Sequence, residues 1–188
     1  MNFELSEDTR ILVESYKQWV TRDLLPLEEK NGITQDTPVP EEIVKFVRRT
    51  SAELGFYNHH MPEEVGGGGL SMVDSVALRE ACGQTGSVLA SLAIAGPDGP
   101  SPMHLTFDAA QREKYLAPLM RGEQGCCFML TEPGAGSDAA NIETFAEKRG
   151  DGWVLNGTKH FITNGRNADW GVAFAVTDKQ KRARGGIS

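Results

Sequence analysis

The sequence has little cysteine, and its histidines are not grouped. Three cysteines occur among the 188 residues, and two of them, Cys126 and Cys127, are adjacent in a short apolar run. Disulfide-stabilised domains and zinc knuckles need more cysteines at different spacings. Of the four histidines, His59 and His60 are neighbours, which does not suit joint ligation of one metal from a helix face. The sequence therefore predicts neither a disulfide framework nor a metal site.

Long apolar runs and an excess of basic residues are also missing. The longest apolar run, residues 88–95, is far shorter than the roughly 20 residues that cross a bilayer as a helix. Residues 1–4 resemble neither a secretory signal nor an arginine-rich transit peptide. The net charge of −7 disfavours nucleic acid, whose phosphates would be repelled. We expect a cytoplasmic protein with no membrane span and no nucleic-acid partner.

Helical periodicity is present in the first 120 residues. Ser6, followed by two acidic residues, is expected to cap a first helix that ends at Pro26. Pro40 opens a second helix, which stops at Gly55. The inward-facing residues predicted for these two helices are Ile11, Leu12, Tyr16, Trp19 and Val20 in the first, and Ile43, Val44, Val47 and Leu54 in the second.

Further capping signals follow a run of four glycines. Residues 66–69 are predicted to form a tight turn, a close backbone approach or a plain connector. Ser71 is expected to cap a third helix with Asp74 as its partner. Asp108 opens a later helix, which we expect to end at Pro118. The first part of the chain is therefore predicted to be helical.

After Gly122 the apolar pattern changes to a period of two residues. A glycine turn at residues 150–152 separates two alternating segments, which is typical of a β-hairpin. A helical part therefore precedes a sheet part. The predicted strands are residues 124–130, 144–149, 153–160 and 170–176.

A short polar turn follows the first predicted strand. Thr131 and Ser137 supply hydroxyl groups, and Pro133 supplies no amide hydrogen. Gly134 and Gly136 are expected to adopt backbone conformations closed to other residues and to let a ligand approach the main chain. We predict that a sizeable polar ligand binds at this turn.

Two common functional motifs do not fit the residues of this turn. Gly134, Gly136 and Ala139 have the spacing of a dinucleotide-binding fingerprint, but residues 144–157 alternate around a glycine turn instead of forming the required helix. Ser137 has no Gly-x-Ser-x-Gly elbow and no evident histidine partner, so a serine hydrolase is not predicted.

Taken together, the motifs resemble those of the acyl-CoA dehydrogenase family. Residues 130–138, Leu-Thr-Glu-Pro-Gly-Ala-Gly-Ser-Asp, are similar to the family's first signature. Residues 153–165 resemble the segment that follows it there. In the helical part, residues 53–56, 62–67 and 113–119 resemble segments of the family's first domain. The resemblance covers almost the whole chain in the right order.

The resemblance implies an α+β fold. An all-α helical N-terminal domain, residues 1–122, would precede an incomplete antiparallel β-barrel-like or sandwich domain, residues 123–188. In the family a C-terminal four-helix domain follows, and FAD lies between it and the middle domain, usually at a dimer contact. We expect that domain to be absent from this chain, so that the 188 residues alone would be inactive, hold FAD weakly and tend to associate. The full-length protein is expected to be a homo-oligomer, either a dimer or a tetramer.

The resemblance also assigns site residues by position. One side of the flavin would be lined by residues of the first strand and the turn, and the other edge by residues after the hairpin. Thr131 would bond the pyrimidine end, and the Thr163 hydroxyl would approach N5. Ser137 would also touch the pantetheine part of the substrate. The cofactor-binding set is Phe128, Met129, Leu130, Thr131, Gly136, Ser137, Phe161, Ile162 and Thr163.

The reaction implied is α,β-desaturation of an acyl-CoA thioester, as in fatty acid β-oxidation. A carboxylate takes the α-proton while the β-hydrogen leaves as hydride to flavin N5, and electron-transfer flavoprotein is the implied acceptor. The family's base is a glutamate of the C-terminal domain, so no catalytic residue is expected in this chain. Glu132 and Asp138 are near the site but do not occupy the base position. Alternatives are an acyl-CoA oxidase or flavin monooxygenase of the same fold, or a non-catalytic truncated assembly partner.

Overall fold

The computed structural model describes residues 4–188, which form two compact units that divide after Gln124. The predicted domain ranges, 1–122 and 123–188, stay a prediction. The helices are α1 (Glu7–Trp19), α2 (Leu25–Asn31), α3 (Glu41–Glu53), α4 (Met72–Gln84), α5 (Val88–Leu92), α6 (Ala109–Gln111) and α7 (Ala117–Met120). The strands are β1 (Cys126–Met129), β2 (Phe145–Arg149), β3 (Gly152–Asn156) and β4 (Trp170–Ala173).

Side-chain caps begin several helices where the sequence predicts them. The Ser6 hydroxyl accepts from the amide of Thr9 at 3.1 Å and begins α1. Ser71 begins α4 by accepting from the amide of Asp74 at 3.2 Å. Asp108 and Gln111 form a reciprocal capping box at the start of α6. These caps satisfy amides that have no partner inside the helix, which explains why local sequence locates the helix starts.

The helix ends predicted at Pro26 and Pro118 are wrong. A π-helical turn precedes each proline, Val20–Leu24 in one case and Arg112–Leu116 in the other. The residue just before each proline donates to the carbonyl five positions back, so the hydrogen-bond register shifts there. Each proline then lies in the first turn of the next α-helix, where its missing amide hydrogen is tolerated.

The core of the helical unit is built around α1. Tyr16, Trp19 and Phe56 are buried and in ring contact, with Tyr16 meeting Phe56 edge-on at 5.1 Å and Trp19 stacked on Phe56 at 5.8 Å. Two predicted core positions are wrong, because Ile11 is 56% exposed and Leu54 is 49% exposed. Ile11 faces away from the packed side of α1, and Leu54 lies just beyond the end of α3.

The glycine run forms a close backbone approach. A Cβ atom on Gly67 would lie 2.1 Å from the carbonyl oxygen of Met61, and one on Gly68 would lie 2.9 Å from that of His59. Gly66 and Gly69 have φ values of 83° and 60°, which other residues rarely adopt. This segment therefore needs glycine for space and for conformation, as the second of the three sequence interpretations proposed.

The β unit contains two small sheets that do not close within the described residues. β2 and β3 form the predicted antiparallel hairpin, with Arg149 opposite Gly152 at its tip. β1 pairs with β4, and this pair is parallel, so the expectation of wholly antiparallel pairing is corrected. The strands are shorter than predicted. The α+β class, a helical part followed by a partial β part, is confirmed.

No helix within residues 4–188 combines the length and the apolar character needed to cross a membrane.

Candidate functional site

A tight turn follows β1 at the residues of the first signature. The amide of Glu132 donates to the carbonyl of Ala135 at 3.0 Å, and the amide of Ala135 donates back at 3.2 Å. Pro133 and Gly134 form the tip between these two bonds. Ala135 itself is buried in the small core of the β unit, with Ile142. The turn is therefore fixed to the sheet at its base while its tip is exposed.

A second segment runs beside β1 after the hairpin. The amide of His160 donates to the carbonyl of Thr131 at 3.0 Å. Four residues on, the side-chain amide of Asn164 donates to the carbonyl of Cys126 at 3.3 Å. Because His160 lies beside Thr131 and Asn164 lies beside Cys126, residues 160–164 and residues 126–131 run in opposite directions. The strand predicted for residues 153–160 therefore ends early, at Asn156, because the chain leaves the hairpin to follow β1.

This arrangement brings two groups of predicted flavin-binding residues together. The first group is Phe128, Met129, Leu130 and Thr131; the second is Phe161, Ile162 and Thr163. Met129, Leu130, Thr131 and Ile162 are half-buried, and Thr163 is exposed. The bonds from His160 and Asn164 do not involve Gly136 or Ser137, which lie exposed beyond the turn.

Two aromatic rings are exposed on these segments. Phe161 is 86% exposed, and its ring lies 4.1 Å from that of His160 with an interplanar angle of 30°. Phe128 is 43% exposed and is tilted against Phe174 at 4.6 Å. A ligand or partner that covered either ring would remove apolar surface from water. A flat ring system is the kind of ligand that aromatic faces of this sort can contact.

The glycines of the turn differ from the sequence prediction. Neither Gly134 nor Gly136 has a positive φ, so the expected unusual conformations are not present. A Cβ atom on either residue would meet no atom within 4 Å. The chain itself therefore does not require glycine at these positions, and the space above the main chain is open to a ligand. The groups that would contact a flat cofactor such as FAD here are the exposed rings of Phe128 and Phe161 and the hydroxyls of Thr131 and Thr163.

Glu132 is a buried carboxylate at the base of the turn. It is 5% exposed and accepts from the Lys159 ammonium at 2.7 Å and from the amides of Glu143 and Thr144 at 2.6 and 3.0 Å. Burial alone would raise its pKa, but these donors outweigh burial and lower the pKa of Glu132 to about 2. Glu132 is therefore held as a carboxylate anion.

Lys159 was not singled out in the sequence. Its ammonium donates both to Glu132 and to the carbonyl of Leu130, the latter at 3.0 Å. A sequence signal does exist, since Lys159 precedes the apolar pair Phe161 and Ile162 and is separated from Glu132 only by the hairpin. Opposite charges on segments that must pack together are reasonable partners, but the pairing becomes definite only with the structure.

A polar groove of about 380 Å³ lies on the hairpin side of the turn. It is lined by none of the nine predicted cofactor-binding residues. Its lining residues are Glu132, Pro133, Gly134, Glu143, Thr144, Phe145, Asn156, Gly157 and Thr158.

The side chains that commonly ligate metal ions are dispersed in the described part of the chain. Among residues 4–188, no three His, Cys, Asp or Glu side chains are grouped so that they could hold a metal ion.

Comparison with known proteins identifies the family. The family model described as acyl-CoA dehydrogenase, N-terminal domain, matches residues 6–123. The model described as acyl-CoA dehydrogenase, middle domain, matches residues 127–188. Since the first alone covers more than half of the sequence, the chain belongs to the acyl-CoA dehydrogenase family, and the resemblance seen in its motifs is confirmed.

Individual relatives agree with this assignment. The chain is 34% identical to a 3-(aryl)acrylate reductase of Clostridium sporogenes over 182 residues, which are 96% of this chain and 46% of that protein. It is also 34% identical to the mitochondrial short-chain specific acyl-CoA dehydrogenase of Mus musculus over 189 residues, covering 97% of this chain and 43% of the relative. The chain thus spans a little under half the length of these curated relatives.

A solved structure shares the same fold. A glutaryl-CoA dehydrogenase from Mycobacterium smegmatis in complex with FADH2 has a TM-score of 0.72 and 28% identity, covering 91% of this chain and 43% of that structure. That protein was therefore solved with a reduced flavin bound.

Proposed function

We propose that this chain contributes the helical part and one side of the flavin site of an FAD-dependent acyl-CoA dehydrogenase, which introduces an α,β double bond into an acyl-CoA thioester. The observation that carries the proposal is the pairing of residues 160–164 with β1 and Thr131, because it joins the two segments implied to line the flavin. The FADH2 complex of the Mycobacterium smegmatis enzyme supports the choice of cofactor.

The residues of the two segments have distinct proposed roles. Phe128 and Phe161 cover the ring system and exclude water from it. Thr131 and Thr163 direct their hydroxyls toward its polar edge, and Ser137 contacts both cofactor and substrate. When bound, FAD supplies the acceptor for the hydride that leaves the β-carbon.

Glu132 is not proposed as the base that removes the α-proton. A general base works best when its pKa lies near the working pH, and the pKa of Glu132 is lowered to about 2. Its two oxygens are already bonded to Lys159 and to two backbone amides. We therefore propose that the base is contributed from outside these 188 residues.

The remaining assignments follow from the same proposal. Electron-transfer flavoprotein is proposed as the electron acceptor and a dimer or tetramer as the working assembly. A cytoplasmic location and a role in fatty acid β-oxidation are likewise proposed.

The test is anaerobic titration of the purified full-length protein. We expect visible flavin absorbance that bleaches when an acyl-CoA of suitable length is added, and no bleaching with the corresponding free acid. Absence of bleaching across a series of straight, branched and aromatic thioesters would overturn the proposal. Peroxide formation at the rate of turnover in air would instead identify an oxidase, and a protein that never binds FAD would identify a non-catalytic partner.

A further inference from the structure

Glu132 connects three separate parts of the β unit. Its carboxylate accepts from Lys159, which follows β3, and from the amides of Glu143 and Thr144, which lead into β2. Glu132 itself lies in the turn after β1. The side chains of the ion pair are 5% exposed for Glu132 and 12% exposed for Lys159. A single buried carboxylate therefore fixes the turn, the start of the hairpin and its exit relative to one another.

A buried ion pair of this kind is better explained by geometry than by stability. Removing two charges from water is unfavourable, and apolar replacements often stabilise a fold at least as well. The pair instead fixes the relative positions of the segments that it joins, because each hydrogen bond to the Glu132 carboxylate constrains a distance and a direction.

The segment after Lys159 contains one residue in an unfavourable backbone conformation. Phe161 has φ of 53°, which a bulky aromatic residue rarely adopts, whereas Asn164 has φ of 62°, which asparagine tolerates. Such conformations persist where the surrounding contacts hold them, and they are concentrated at functional sites. Here the contacts lie at the two ends of the segment, Lys159 and His160 at one and Asn164 at the other. Phe161 between them is left exposed.

We propose that Glu132 and Lys159 are positioning residues that hold the ring of Phe161 at a fixed distance from Thr131. Lys159 does this by donating, with the same ammonium group, to the carbonyl of Leu130 just after β1 and to the carboxylate of Glu132. The inference rests on the proposed flavin site and deepens it, because it explains how two segments far apart in sequence keep one spacing. Neither residue touches the reacting atoms.

The test compares Glu132→Gln and Lys159→Met in the full-length protein. FAD affinity is measured by fluorescence titration of the apoprotein, and amide hydrogen exchange is followed at His160, Glu143 and Thr144. We expect FAD affinity to fall about 10- to 100-fold, as is typical when a residue that orients a binding group is lost. Exchange at His160 is expected to become about tenfold faster or more.

Two controls separate positioning from general stability. Glu147→Gln removes the same carboxylate charge from an exposed pair with Arg149 in the same unit. Ile142→Val shortens a fully buried side chain of the small β core. Glu147→Gln is expected to leave FAD affinity unchanged within about twofold, the size expected of an exposed substitution. Ile142 packs in the cluster that contains Ala135 and Leu130, so Ile142→Val measures how much affinity is lost through weakened core packing alone. Equal loss of affinity in Ile142→Val and Glu132→Gln, at equal loss of melting temperature, would overturn the inference.

The other outcomes are also decisive. If the wild-type protein binds no FAD, the proposed function fails, but exchange at His160 still tests the pair. Unchanged exchange in both Glu132→Gln and Lys159→Met would overturn the positioning role. Should Glu132→Gln fail to fold, Lys159→Met carries the same comparison. If neither variant folds, the pair is a folding determinant, and the inference is overturned.

Discussion

The backbone amide of His160 donates to the carbonyl of Thr131 at 3.0 Å. This bond joins the segment after the hairpin to the chain just beyond β1, whose residues 126–129 pair with β4. His160, which the sequence assigns to a hairpin strand, thereby begins a segment that lies beside the first group of residues proposed to bind the flavin.

Gly136→Ala is expected to weaken FAD binding by about tenfold or more, equivalent to about 1.4 kcal/mol, while leaving the fold intact. The added methyl group would meet no atom of the chain within 4 Å, and the φ of Gly136 is not positive. It would therefore occupy space left for the ligand. The free energy of unfolding is expected to change by no more than about 0.5 kcal/mol. FAD titration and urea unfolding of the full-length protein measure the two effects.

Gly152→Ala is the matched control for this substitution. Gly152 lies at the tip of the hairpin, and the closest atom to its added methyl group is the Arg149 carbonyl oxygen at 4.0 Å. We expect no change in FAD affinity. If Gly136→Ala binds FAD as tightly as Gly152→Ala does, the opening over the turn is not part of the cofactor site.

Substitutions of Phe161 separate its ring from its backbone. Phe161→Ala and Phe161→Gly both remove the ring and are expected to weaken FAD binding to a similar extent. They differ in backbone strain, because φ is 53° and an alanine in the left-handed region is disfavoured by about 1 kcal/mol relative to glycine. Thermal melting should therefore show Phe161→Gly to be the more stable of the two.

Trp153→Ala provides the comparison for an exposed aromatic ring. Trp153 lies on β3 and is 56% exposed. Its loss is expected to leave FAD affinity unchanged. A Phe161→Ala protein with wild-type FAD affinity would contradict the proposed contact between the ring and FAD. A Phe161→Ala protein that melts at a higher temperature than Phe161→Gly would contradict the backbone strain.

The helix starts could be predicted from sequence, and two helix ends could not, for one physical reason. Capping at Ser6, Ser71 and Asp108 is decided by side chains within three residues of the cap, so local sequence is sufficient. Whether Pro26 or Pro118 ends a helix depends on the hydrogen-bond register before it. A π turn shifts that register, and no residue type signals the shift.

The site shows the same division between local and distant contacts. The motif resemblance singled out Thr131 and Thr163, and the structure brings their segments together. For the buried pair of Glu132 and Lys159 the sequence offers only opposite charges on either side of the hairpin, and the two residues meet only when the hairpin folds back. Of the two expectations for Gly134 and Gly136, the unusual backbone conformation is wrong, since neither has a positive φ, and the approach of a ligand to the main chain stays a prediction.

Tyr16→Phe is expected to destabilise the helical unit by about 0.5–1.5 kcal/mol, the net contribution of one hydrogen bond, because the carbonyl of Ala90 keeps its bond from the amide of Ala93 at 3.1 Å. The Tyr16 hydroxyl donates to the carbonyl of Ala90 at 2.8 Å, and the side chain is fully buried. The phenylalanine keeps the ring contacts with Trp19 and Phe56.

Tyr16→Leu extends the comparison, because it removes both the hydroxyl and those ring contacts. Its loss of stability is expected to exceed that of Tyr16→Phe, because the smaller side chain also leaves a cavity. Urea unfolding followed by tryptophan fluorescence distinguishes the two variants. Equal stabilities for wild type and Tyr16→Phe would show that the bond to Ala90 contributes nothing.

The final prediction concerns pH and the carboxylate of Glu132. Its pKa in the folded protein is about 2, below the ordinary value of 4.5 that it regains on unfolding. The unfolded state therefore binds the extra proton between these values, so the stabilisation is complete above pH 4.5 and is lost as the pH falls toward 2.

The local opening free energy at the Thr144 amide, which donates to Glu132, should report this loss. Between pH 4.5 and 3, that free energy should fall more steeply in wild type than in Glu132→Gln, by at most about 1.4 kcal/mol per pH unit. Glu147→Gln should keep the wild-type slope, and identical slopes in wild type and Glu132→Gln would mean that the ion pair with Lys159 does not hold this part of the turn.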